Sequence, residues 1–109
     1  MPTLHATLAA GRWHALTLME QLGNVGSEIS RASNWHGKDD ALCKSAVFRA
    51  LELIDLIADD PRWKHRLKEI LRARESICDA FTEGKEYGTT WKELDDYFLS
   101  FAYAARKDT

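Results

Sequence analysis

At 109 residues, with 45% hydrophobic and 29% charged side chains, the chain has material for one core and not for two. Its formal charge of -2 excludes a strongly basic nucleic-acid binder and leaves room only for a local basic face. No apolar run is long enough to span a membrane, and no basic n-region followed by an apolar core opens the chain, so no signal peptide is expected; two cysteines then suit a reducing cytoplasm.

Residues 1–11 are small and weakly patterned and read as a flexible N-terminal arm, ahead of a single domain over 12–109. The first long helix is expected to start near Arg12 or Trp13. Leu18, Leu22, Val25, Ile29 and Ala32 recur in alternating steps of four and three, which is one helical face. Gly23, Gly26, Ser27 and Ser30 weaken this helix but strip it of bulk, so a neighbouring backbone is expected to approach it closely. Asn34 to Lys38 breaks the pattern.

A second helix opens behind Asp39, whose carboxylate suits the free N–H groups of a first turn. Its apolar face runs from Leu42 through Ala46, Ala50 and Ile54 to Ile57, and Phe48, Leu53 and Leu56 widen it beyond what one neighbour covers. Asp59-Asp60-Pro61 turns the chain, since proline cannot continue a helix but suits the start of one. The third helix is expected from Pro61, with Trp63, Leu67, Ile70, Leu71, Ile77 and Phe81 on its face. A tight turn makes these two helices antiparallel and sets Cys43 level with Cys78, Ala50 with Leu71, and Ile54 with Leu67. The two cysteines read first as small buried apolar residues. A disulfide at that level needs close Cα atoms, and metal binding lacks any CxxC or clustered histidine. Glu83 to Thr89, framed by Gly84 and Gly88, is a loop, and Thr90-Trp91-Lys92-Glu93 matches a capping box that opens the fourth and shortest helix. The expected fold class is therefore all-α: an antiparallel up-down-up-down four-helix bundle organised around the hairpin from Asp39 to Phe81. Trp13 and Trp63 would plug one end and Trp35 and Trp91 the other, with their indole N–H groups near water.

Charge separates by helix. From Lys38 to Asp60 three basic residues face six acidic ones, and from Pro61 to Thr82 six basic face three acidic. Arg62, Lys64, Arg66, Lys68 and Arg72 form a candidate phosphate-contacting strip, with cross-helix pairing as the plainer account. Arg49 and Arg74 lie beside apolar stripes and call for a carboxylate such as Glu52, Asp55 or Glu28, or for an interface contact. No Glu has a His three residues later, so a di-iron bundle is excluded, and no GxSxG, P-loop or HExxH occurs. No cofactor or metal is expected.

Two resemblances follow. Arg31 and His36, four residues apart in the interval between them, resemble the short Arg-x4-6-His motif of the HEPN ribonucleases; that reading would have His36 move a proton and Arg31 hold the scissile phosphate. Leu22-Gly23-Asn24-Val25-Gly26-Ser27-Glu28-Ile29, Arg49-Ala50-Leu51-Glu52-Leu53 and Arg72-Ala73-Arg74-Glu75 resemble a second group. This is the four-helix-bundle family of accessory variability determinant (Avd) proteins of diversity-generating retroelements, together with ribosomal intervening-sequence-encoded proteins. It implies a ring-like homo-oligomer, often a pentamer, without catalytic residues, that binds a reverse transcriptase and its template RNA. A structural homo-oligomer with no nucleic-acid role is the remaining alternative. Self-association is expected through the small-residue face of the first helix or the apolar surplus of the second.

Overall fold

The computed structural model describes residues 12–107, so the expected arm over 1–11 and the last two residues lie outside the described part. Four α-helices, α1 (Leu18–Trp35), α2 (Asp40–Ala58), α3 (Leu67–Phe81) and α4 (Trp91–Lys107), are joined by short connections, and two 3-10 helices, Arg12–Ala15 and Pro61–Arg66, precede α1 and α3. No strand occurs among the described residues, and no helix there is long and apolar enough to cross a membrane.

Local chemistry sets the helix ends. The expected start of the first helix at Arg12 or Trp13 is corrected to Leu18. Thr17 Oγ1 accepts the Glu20 N–H at 3.2 Å while Glu20 Oε1 accepts the Thr17 N–H at 2.9 Å, a complete capping box. Asp39 caps α2 by accepting the Leu42 N–H. Pro61 opens a 3-10 helix rather than the third α-helix. Asp60 accepts the Arg62 N–H, and Trp63 takes non-helical angles (φ -105°, ψ 16°), so regular α-helix begins only at Leu67. With 15 residues α3 is shorter than α4, which has 17, reversing the expected order. At Thr90 the box is partial: Thr90 Oγ1 accepts the Glu93 N–H, and the Glu93 carboxylate takes the hydroxyl proton rather than a backbone one.

The packing moves the organising role from the α2–α3 hairpin to α1. This helix packs extensively on both α2 and α4, whereas α2 and α3 touch far less and α3 barely meets α4. Leu18, Leu22, Val25, Ile29 and Ala32 are all buried, against Val47, Ala50, Ile54, Ile57, Ile77 and Phe98 in one continuous core. Each Val, Leu, Ile or Phe among them removed from water contributes roughly 1.5–3 kcal/mol. The small residues of α1 are used inside the chain. A Cβ at Gly26 would stand 3.0 Å from the Cβ of Phe98, one at Gly23 3.5 Å from the Cα of Ala102, and Ser30 donates to Asp95. Numbers fall along α4 as they rise along α1, so the two run antiparallel, and this face of α1 is not free for a second copy.

In the α2–α3 pair, Asp55 meets Arg74 and the Phe48 ring meets that of Phe81. Equidistance from the turn would instead set Asp55 against Arg66 and Phe48 against Ala73. The 3-10 segment lengthens the connection, so the expected levels do not describe this pair. Both cysteines are free, Cys43 buried and Cys78 half-buried. Burial, then the nearby Asp40 and Glu83 carboxylates, push the Cys43 thiol up.

The tryptophans divide between the two ends. Gln21, fully buried, donates to the Trp13 carbonyl and accepts from Trp63 Nε1, both at 2.9 Å, which joins these two at one end. At the other, Trp91 lies 5.7 Å from the His36 ring. The expectation of wet indoles fails for Trp13, which is fully buried, and the Nε1 groups of Trp13 and Trp91 find no hydrogen-bond partner among the described residues.

Candidate nucleic-acid interface

The basic strip divides in two. Arg62, though 40% exposed, is fully engaged: its Nε and Nη2 hold the buried Asp60 carboxylate, Nη1 donates to the Leu16 carbonyl, and the guanidinium lies 4.5 Å from the Trp63 ring. The Arg62 hydrogen bond outweighs burial and holds the Asp60 carboxyl below its usual range. Arg62 therefore ties the second 3-10 helix to Leu16, in the link between the first 3-10 helix and α1, and leaves the open strip. Arg66 is neutralised by Glu69 at 3.0 Å. Lys64, Lys68 and Arg72 are exposed and form no ion pair with described residues, and Lys68 and Arg72 stand one turn apart on the outward side of α3.

Arg74 Nε donates to Asp55 at 2.8 Å, with 39% and 54% of the two side chains exposed, so this is a surface pair rather than a buried one. Such pairs contribute about 0–1 kcal/mol. Arg49 is half-buried on α2 and makes no ion pair with described residues; Glu52, one turn on, is half-buried as well. The outward surface of α2 and α3 keeps Phe48, Leu71 and Phe81 exposed by 46, 43 and 36%.

Arg31 and His36 are not brought together around a common target. Arg31 Nη1 is held at 2.7 Å by Glu28, whose carboxylate is almost fully buried, while His36 Nε2 lies 3.3 Å from Glu83 Oε1. Among the described residues no group of three or more His, Cys, Asp or Glu gathers for a metal ion.

The slight contact between α3 and α4 leaves a cleft of about 350 Å³ that the sequence does not announce. Glu69, Arg72 and Ser76 form one wall, Glu93 and Tyr97 the other, and Ala73 with Leu94 the floor. A neighbouring hollow of about 390 Å³ continues from Arg72 and Ser76 to Tyr87. Tyr97 makes T-shaped contacts with Phe98 and Phe101, centroids 5.2 and 5.1 Å away, yet remains 42% exposed. Burial, then Glu69, push its hydroxyl pKa up against the opposing pull of Arg66, so it stays a neutral donor at physiological pH. The only signal for these residues was their helical spacing, Glu69-Arg72-Ser76 and Glu93-Tyr97, which is common to any exposed face.

Thr89 lines one end of the cleft and is held there by Asp79, which the sequence shows only as one more acid on a charged helix. Asp79 is 2% exposed and accepts backbone N–H groups from Glu86 (2.8 Å), Tyr87 (3.2 Å) and Thr89 (2.9 Å). Burial would raise its pKa; the Thr89, Glu86 and Tyr87 donors outweigh it and hold it at about 2. Gly84, at φ +70°, lets the loop fold onto this carboxylate, where a Cβ would come 3.1 Å from the Thr89 carbonyl.

Comparison of the chain with protein-family models, curated proteins and solved structures finds no match.

Proposed function

We propose that this chain is a non-enzymatic accessory module: an up-down-up-down four-helix bundle that forms homo-oligomers and lays Lys64, Lys68 and Arg72 on the phosphate backbone of RNA. The setting is a cytoplasmic nucleoprotein assembly of the kind a retroelement reverse transcriptase forms with its template. The observation that carries the reading is the sorting of cations on one segment. Arg62 and Arg66 are spent on Asp60 and Glu69, while Lys64, Lys68 and Arg72 are exposed and form no ion pair among the described residues. Contacts of this type bind backbone without reading sequence. The exposed Phe48, Leu71 and Phe81 favour a second copy as cover for the α2–α3 face, because the small-residue face of α1 is already occupied by α4. The separate carboxylate partners of Arg31 and His36 favour binding over nuclease chemistry.

The test is RNA binding as a function of salt, together with mass in solution. Three phosphate contacts give a slope of log K against log salt of roughly -2 for a single strand. Changing Lys64, Lys68 and Arg72 together to Glu removes the binding. Salt-independent binding, or binding that survives the triple change, overturns the RNA role; a monomer in light scattering at micromolar concentration overturns the oligomer.

A further inference from the structure

The α3–α4 cleft joins a cation, Arg72, to two kinds of group that a bare backbone contact does not use, an aromatic ring and a carboxylate. Its size lies within the roughly 300–1,000 Å³ that suits a small ligand. Arg72 lines both the cleft and the neighbouring hollow and carries a charge with no ion pair among described residues. Tyr97 presents a ring that is held in place by Phe98 and Phe101 and is still 42% exposed. Of the two glutamates at the mouth, Glu69 is neutralised by Arg66, while Glu93 accepts the Thr90 hydroxyl at 2.9 Å and forms no ion pair among the described residues. A ligand matched to this set carries an anion, a flat π face and N–H donors together. A nucleotide has all three. A carboxylate reads best an edge with two adjacent N–H donors, which among the four RNA bases is the Watson–Crick edge of guanine; cytosine and adenine offer an amino group beside an acceptor, and uracil one N–H between two acceptors.

We propose that the cleft between α3 and α4 seats one unpaired guanine nucleotide of a single-stranded RNA, with Arg72 on its phosphate, Tyr97 against the base and Glu93 on the Watson–Crick edge. The proposal rests on the reading of Lys64, Lys68 and Arg72 as a backbone contact, and turns that contact from one indifferent to sequence into one that prefers splayed bases. A duplex keeps this edge paired and cannot offer it.

The experiment is fluorescence polarisation of the full chain with three labelled RNAs: an oligouridine, the same oligouridine with one central guanosine, and a hairpin duplex. The guanosine-containing strand binds about tenfold tighter than oligouridine, the scale of one bidentate base contact, and the duplex binds more weakly than either strand. Tyr97→Leu weakens binding of the guanosine strand about tenfold through lost stacking, and Glu93→Gln erases the preference for guanosine. Far-UV circular dichroism establishes that both variants are folded, and the Glu93 variant keeps the test open if the Tyr97 one is not. Equal affinity for the two strands, or a duplex bound as tightly, overturns the cleft site while salt-dependent binding through Lys64 and Lys68 leaves the backbone reading standing. No binding to any of the three RNAs overturns both.

Discussion

Replacing Gly23 and Gly26 by alanine, one at a time, tests the seating of α4 on α1. In a helix interior alanine is favoured over glycine by about 0.8–1 kcal/mol, and both positions gain this equally. What differs is the space. At Gly23 the new Cβ would meet the Cα and Cβ of Ala102 at 3.5 and 3.7 Å, ordinary van der Waals distances. At Gly26 it would meet the Cβ of Phe98 at 3.0 Å and the Phe98 carbonyl at 3.4 Å. That contact is close to the backbone of a fully buried residue, so no rotamer change relieves it and α4 has to slide. Overpacking of this kind costs about 1–3 kcal/mol. Gly23→Ala is therefore expected to raise stability by about 0.5–1 kcal/mol and Gly26→Ala to leave it unchanged or lower it by up to ~2 kcal/mol. Urea unfolding reads both from the midpoint at constant slope. Equal stabilisation by the two changes would refute the close approach of Phe98 and with it the central place of α1.

Gln21→Leu leaves the Trp13 carbonyl without its donor and the Trp63 indole without its acceptor, at about 1–3 kcal/mol for each group that stays dry; a wild-type urea midpoint would mean that this bridge does not hold the tryptophan end together. Asp79 titrates at about 2 in the folded chain against an ordinary 3.8, so the unfolded chain takes up the proton first as pH falls. Its contribution is complete above the ordinary value and is lost as pH drops from about 4 to about 2. Thermal melts are thus expected to fall steeply across that window for the wild type, while Asp79→Asn starts lower and falls less; parallel curves would show that the loop is organised without this carboxylate.

Several of these features were legible in the residues alone. The spacing of Leu18, Leu22, Val25, Ile29 and Ala32 marks a buried face, Asp39 marks a helix start, and Gly84 and Gly88 mark a loop, because periodicity, capping and left-handed backbone are settled within a few residues of chain. Thr17 and Glu20 were equally local and carried a readable capping box, yet the apolar bulk of Trp13 drew the expected start too early. Gln21 defied the pattern: it is a polar residue in the core, explained only by Trp13 and Trp63 arriving from two other segments.

What remained for tertiary structure was everything set by distance through space. Asp60 and Glu69 lie only two and three residues from Arg62 and Arg66, but Glu69 is equally spaced from Arg66 and Arg72, and only the fold shows that it takes Arg66. The α3–α4 cleft is a contact that fails to form, and a missing contact leaves no trace in the composition of either helix. Helical period dictates which side of each rod is apolar. The ranking of its neighbours, with α1 at the centre and α3 at the margin, follows from where Gly23 and Gly26 let α4 come close and where the 3-10 segment at Pro61 carries α3 away.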